Sequence, residues 1–314
     1  MVSEANAMST KNIFFLGLIL AAAGVLSPPL ALLAGLVFAL TVEHPFAMES
    51  HDLSKFLLQA SVVALGFGMD LHEVIHAGRS GFVYTAVSIS VAMLLGLLLG
   101  RVMRVPGKAS FLITCGTAIC GGSAIAAIGP ITDANEEEMG ISLGTVFTLN
   151  SVALVLFPFV GTRLHMTQSQ FGLWAALAIH DTSSVVGAAA KYGAVALTIG
   201  TTVKLARALW IVPLSFATAY AMKSKAKVKI PWFILLFCVA AVVRTYLPTL
   251  HGIYTALSGL GRSGMAVTLF LIGTGLSREM FRKVGVRPMV QGVALWIVVA
   301  VASLMAIRAG LIAI

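Results

Sequence analysis

Charge is scarce in this chain. Asp, Glu, Lys and Arg make up 11% of its 314 residues, against about 25% in an ordinary soluble domain. That deficit excludes a solvated globular surface, and the 59% hydrophobic content excludes a disordered chain. Cysteine is almost missing. Cys115, Cys120 and Cys238 lie in apolar stretches with no C-x-x-C or Cys/His spacing, which leaves neither a disulfide framework nor a metal site. His72 and His76 are four apart, yet no rigid third ligand joins them. There is no Walker A run, no G-x-S-x-G and no H-E-x-x-H, so no ATPase, serine-hydrolase or zincin chemistry has a carrier here. No enzyme activity and no cofactor are expected. The net charge of +9 comes without a basic stripe interleaved with aromatics, so nucleic acid is not an expected partner.

What the chain does have is a succession of apolar segments of bilayer-spanning length. They fall at 12–26, 30–43, 54–71, 80–103, 109–131, 140–160, 170–192, 194–222, 231–248, 263–281 and 289–312. The first two are short, so 12–43 makes one span or two. The apolar run that opens the first has no convincing small-x-small cleavage site after it and is read as a retained segment. The expected fold is all-α, a polytopic membrane protein of ten or eleven helices. It forms a single transmembrane domain over 1–314, with halves at 12–160 and 170–312.

Loop charge orients this array. Arg101/Arg104/Lys108, Lys223/Lys225/Lys227/Lys229 and Arg278/Arg282/Lys283/Arg287 are separated by even numbers of segments. All three clusters then share one side, the cytoplasmic side by the positive-inside rule. Asp133/Glu136/Glu137/Glu138 is one segment away and falls outside, as does the C-terminus. The run 61–70 resembles 268–277, aligning Gly66 with Gly273 and Gly68 with Gly275, and Gly78 with Gly285 beyond it. The two copies run in opposite directions, as an inverted repeat requires.

Two segments are interrupted by small polar runs, 115–124 and 180–187. Broken helix at membrane depth survives only where it is buried in protein or lines a cavity. A half-helix starting there directs free N–H groups and a positive dipole end at an anion. Gly121, Gly122 and Ser123 in the first run, with Thr182, Ser183 and Ser184 in the second, are the expected substrate ligands. Lys204 and Arg207, three apart on one helical face and near mid-bilayer, complete the anion site. His180 and Asp181 are suited to hold a proton or a cation and form the expected coupling pair. Asn150 reads as an interhelical hydrogen bond. The two runs align as 121–127 with 182–188, but loop parity makes them parallel, which conflicts with an inverted pair.

At 117–127, 180–188 and Lys204-x-x-Arg207…Pro213, the chain resembles the YeiH family of bacterial inner-membrane proteins, many of whose members carry a sulfate-exporter label. The resemblance covers nearly the whole chain. It implies a secondary transporter of a small oxyanion such as sulfate or a sulfonate, working by alternating access and coupled to a proton or sodium ion. It also implies kinship with the sodium/proton antiporter and bile-acid symporter architecture, in which two broken helices cross at the substrate site. Membrane lipid is the expected surrounding and a homodimer is left open. The rival readings are a sodium-coupled organic-acid symporter and a membrane-embedded sensor that binds without flux.

Overall fold

The computed structural model describes residues 2–26, 28–42, 45–223, 232–275 and 285–312. Among them every regular element is helical: α1 (Val2–Ala22), α2 (Pro28–Thr41), α3 (Ala47–Gly66), α4 (Leu71–Val102), α5 (Gly107–Ala118), α6 (Gly122–Ile128), α7 (Glu136–Arg163), α8 (Gln168–Ala178), α9 (Thr182–Tyr192), α10 (Ala194–Ala208), α11 (Ile211–Ala221), α12 (Trp232–Tyr246), α13 (His251–Thr274) and α14 (Val286–Arg308). Among the described residues five stretches are long and apolar enough to cross a membrane: 84–102, 137–163, 194–221, 248–274 and 286–308. Residues 12–43 give two helices. The chain divides into two compact units, 1–72 with 232–278 and 73–231 with 279–314.

The first unit holds α1, α2, α3, α12 and α13. Its aromatic core sets Phe14 against Phe38 and Phe270, with ring centroids 5.8 and 5.9 Å apart. Helices approach here through glycine. A Cβ on Gly35 would lie 2.2 Å from the Phe270 carbonyl of α13, and one on Gly273 would lie 2.4 Å from the Leu32 carbonyl of α2. Only a missing side chain allows backbones this close. Gly68 faces Ser258, Gly261 faces Ser61 to Leu65 and Gly264 faces Ser61, so α3 and α13 run antiparallel. Gly66 packs on Phe237 and Ala240 of α12, while Gly273 packs on α2. Gly66 and Gly273, aligned in the sequence repeat, therefore both lie at the end of a helix against a neighbouring helix. Ser277, the last residue of the second copy, lies outside the described residues. Gly285 is the N-cap of α14 whereas Gly78 lies inside α4, so that part of the alignment has no common role.

The second unit overturns the sequence-based path of 109–131 and 170–192. Neither is a through-going helix; each turns back on itself. Lys108, at the start of α5, donates from Nζ to the Asp133 carbonyl beyond α6. Leu112, Cys115, Ile125 and Ile128 pack in one cluster between the two arms. Likewise the Phe171 ring of α8 stacks on Tyr192 at the end of α9, centroids 3.8 Å apart, and the Tyr192 hydroxyl donates to the Met166 carbonyl. A continuous helix from 166 to 192 would separate those ends by about 39 Å. The reason is in the sequence: each arm is only 11–12 residues long before the break, about 17 Å and so half a bilayer.

Helix α7 fixes where the hairpins open. Its first turns meet the first hairpin, Ser142 donating to the Ala109 carbonyl and Met139 lying against Gly129. Its last turns meet the second, with Gly161 against Phe171 and Tyr192. The two hairpins thus open at opposite ends of one 28-residue helix and dip toward its middle. This removes the conflict noted in the sequence, since the polar runs are the tips of oppositely directed hairpins. It also corrects the acidic loop. Asp133 shares an end with Lys108, not the opposite side. Arg101, Arg104 and Arg287 gather at that same end, because Gly100 and Gln291 both meet Ser110. Lys223 follows α11, which leaves the hairpin cluster past Leu214 toward that end. Lys225, Lys227, Lys229, Arg278, Arg282 and Lys283 lie outside the described residues. Arg163, His165, Lys191 and Arg308 take the other end, where Arg308 donates to the Leu164 carbonyl at 2.6 Å.

Single cysteines in a cysteine-free background test this path. In oriented vesicles, Lys108→Cys and Asp133→Cys are expected to react with a membrane-impermeant thiol reagent from one side, and His165→Cys and Lys191→Cys from the other. Labelling of positions 108 and 133 from opposite sides would restore the continuous span.

Candidate functional site

The tips are three residues each, 119–121 and 179–181. Helix α5 ends at Ala118 and α8 at Ala178; α6 begins at Gly122 and α9 at Thr182. Every boundary is offset by 60 residues. The equivalences are Ile119 with Ile179, Cys120 with His180, Gly121 with Asp181 and Ser123 with Ser183, one position off the alignment drawn from sequence.

Breaking a helix strands its last carbonyls. In the second hairpin four successive carbonyls are met by side chains from elsewhere. Lys204 Nζ donates to Ala176 (3.4 Å) and Ile179 (2.7 Å), Arg207 Nη1 to Leu177 (2.9 Å), and Trp296 Nε1 to Ala178 (3.0 Å). The same two cations reach the first hairpin, Lys204 donating to Ile119 at 3.0 Å and Arg207 Nε to Ala118 at 2.7 Å. A positive charge at a helix C-terminus is favourable against its dipole. Here two charges serve two C-termini at once. Both side chains are fully buried at 0% exposure, and the 194–221 span places them near its middle.

The N-terminal arms differ. Asp181 is the N-cap of α9: its Oδ2 accepts the N–H groups of Ser183 (3.1 Å) and Ser184 (3.3 Å) and also the Ser183 hydroxyl. Asn150, midway along α7, accepts the Asp181 N–H on Oδ1 at 3.2 Å. Gly121 is the N-cap of α6 at φ 66°, ψ −131°, with no side chain to cap anything. A Cβ there would sit 3.3 Å from Cα and Cβ of Asp181, so the tips meet directly. His180 packs edge-on to Trp296, centroids 6.2 Å apart, and both its ring nitrogens are buried without a partner.

The sequence-predicted residues therefore come together, with different tasks visible. Lys204 spends all three of its donors on carbonyls. Arg207 keeps Nη2 buried and unpartnered, as are Asn150 Nδ2 and the hydroxyls of Thr117, Thr201 and Thr202. Thr182, Ser183 and Ser184 are buried, while Ser123 is exposed. Asn150 does more than tie two helices together, since it holds the second tip. Trp296 and Gln291 were not singled out from the sequence. Gln291 Nε2 donates to the Gly96 carbonyl and the Ser110 hydroxyl, fastening α14 to α4 and α5. An amide inside an apolar segment was the available signal. Among the described residues no group of three His, Cys, Asp or Glu side chains could hold a metal.

This geometry can be set beside known proteins. Over residues 11–292 the chain matches the family described as conserved hypothetical protein 698. It is 49% identical over 283 residues to the UPF0324 membrane protein of Bacteroides thetaiotaomicron, covering 88% of this chain and 85% of that one. The chain belongs to this family, the UPF0324 membrane proteins. It is the family to which the sequence motifs pointed. The UPF0324 protein of Geobacter sulfurreducens is 48% identical over 278 residues, 88% of this chain and 90% of its own. That of Vibrio vulnificus is 40% identical over 304 residues, 95% and 98% respectively. No solved structure matches the chain. The family match spans both hairpins and the Lys204/Arg207 helix of this chain.

Proposed function

We propose that this UPF0324 protein is a secondary carrier of a small oxyanion, such as sulfate or a sulfonate, working by alternating access in the bacterial inner membrane with its basic loops cytoplasmic. The observation that carries this reading is the charge at the hairpin junction. Two buried cations, Lys204 and Arg207, share the junction with one buried carboxylate, Asp181, the N-cap of α9. The two helix C-termini and two helix N-termini at the junction offset one another, each worth about half a charge. One positive charge is left over at mid-depth, where an uncompensated charge is costly. A small anion neutralises it.

Donors for that anion surround the junction. Arg207 Nη2 is buried and unpaired, and Ser123, Thr182, Ser183 and Ser184 stand at two helix starts, the Ser183 and Ser184 N–H groups and the Ser183 hydroxyl being held by Asp181. Lys204 contributes its field, not a free hydrogen. The equivalent residues Ser123 and Ser183 also stand in unequal states, one exposed and one buried. Exchange of those states between the two hairpins is what alternating access would do.

Proteoliposomes holding the purified protein and loaded with labelled sulfate are expected to lose label faster than protein-free vesicles, with the rate responding to a pH gradient. Sodium-dependent flux of carboxylates instead would support an organic-acid symporter. Binding without flux of any anion would support a sensor.

A further inference from the structure

We propose that Asp181 is a tethered stand-in for the substrate: its carboxylate sits in the anion seat at the start of α9 and yields that seat to the free anion when it takes up a proton. This rests on the anion-carrier reading and names how the carrier is coupled.

Three donors converge on one Asp181 oxygen, two backbone N–H groups and one hydroxyl. That is the donor array a helix start presents to a free oxyanion. Further donors wait beside it. Asn150 holds the Asp181 N–H through Oδ1, and the Nδ2 of the same amide is buried and without a partner. Arg207 Nη2 is in the same condition. Buried donors are seldom left so, and a four-oxygen anion supplies acceptors that a single carboxylate lacks. The first hairpin shows the alternative built into the same fold. Its equivalent position is Gly121, where no side chain competes for the start of α6.

A carboxylate and a free anion cannot both hold one set of donors. Protonation removes the charge of Asp181 and its claim on the N–H groups, so the anion binds more tightly as pH falls. Linkage makes this reciprocal: anion binding draws a proton onto Asp181. Proton and anion then travel together. The other charged or titratable groups facing Asp181 are Lys204 from α10, Cys120 from the first tip and the adjoining His180, and Arg207 of α10 lies beyond them against Cys120 and His180. Helix α7 presents the neutral amide of Asn150.

The test is calorimetric titration of the purified full-length protein with sodium sulfate, against sodium chloride at equal ionic strength. For the wild type, the sulfate Kd is expected to fall about tenfold or more between about pH 8 and about pH 5, with net proton uptake read from the buffer dependence of the heat. Asp181→Gly copies the first hairpin into the second. It should bind sulfate at the alkaline end as tightly as the wild type does at the acid end. Asp181→Asn keeps the cap without the charge, so it serves should the glycine variant not fold, and its sulfate affinity should not change with pH. Wild-type affinity and pH dependence retained in both variants would overturn the proposal and leave the carrier reading standing. If neither sulfate, methanesulfonate nor phosphate binds the wild type or the variants at any pH, the carrier reading fails and takes this proposal with it.

Discussion

Lys204→Gln is expected to unlatch both hairpins at once and to produce the largest stability loss of any single substitution in the second unit. Lys204 satisfies three carbonyls, one from the first hairpin and two from the second. A glutamine amide is shorter and offers two hydrogens, so at least one buried carbonyl is left bare. Neutral hydrogen bonds inside membranes average about 0.6 kcal/mol, because the unfolded chain in lipid finds other partners. Charge assistance roughly doubles that, which puts three such bonds near 4 kcal/mol. Folded proteins hold only about 5–15 kcal/mol in all. Melting temperature in detergent should therefore fall steeply, and sulfate flux should vanish with it. Lys204→Arg keeps the charge and several donors and should fall between the two. A simple substrate lysine would behave otherwise: Lys204→Gln would lose sulfate binding and keep its melting temperature. That outcome would remove the latch.

The comparison of Lys204 with Asp133 shows which parts of this protein can be read from its sequence. The two intramembrane cations stood out because a charge in an apolar run is expensive, and one residue's depth in a segment is enough to see it. What they touch was not visible. A lysine aimed at a free anion and a lysine aimed at three carbonyls look alike in a string of letters. The path of 109–131 failed for a related reason. Hydropathy measures length and apolarity, and a hairpin of two half-length arms has the same 23-residue apolar signature as one crossing helix. The signal that separates them is the break itself, with glycines at 121–122 in one segment and His180-Asp181 in the other. Treating both as through-going helices put Asp133 on the wrong side and made the pair parallel. Lys223 still falls at the same end as Arg101, Arg104 and Lys108 because a hairpin and a span differ by one crossing, and two hairpins lie between them, so parity was restored. The 60-residue offset between the tips was legible in part. Ala118-Ile119 matches Ala178-Ile179 and Ser123 matches Ser183, yet matching glycine to threonine pulled the alignment one place away. Carbonyls of Ile119 and Ile179 sharing one ammonium group fix the register where letters could not.

Gly121→Ala is the second large effect, expected in transport more than in stability. Gly121 stands at φ 66°, ψ −131°, a region that costs a side-chain-bearing residue about 1–3 kcal/mol. The added methyl would lie 3.3 Å from Cα and Cβ of Asp181 and from Val146, so one tip must retreat from the other by a few tenths of an ångström. That retreat matters because of what hangs on the adjoining residues. The carbonyl of Ile119, two residues back, holds Lys204, and that of Ala118 holds Arg207. Small displacements at a preorganised site commonly cost far more in rate than in stability. Sulfate flux in proteoliposomes should fall at least about tenfold, for a loss of about 2 kcal/mol in stability. Gly140→Ala is the matching control. It lies within α7, and nothing stands within 4 Å of its added methyl, so it should transport as the wild type does and melt no lower, since alanine favours helix over glycine by about 1 kcal/mol. Equal flux in the two variants would show that contact between the tips is not needed for transport, and that the hairpins work separately.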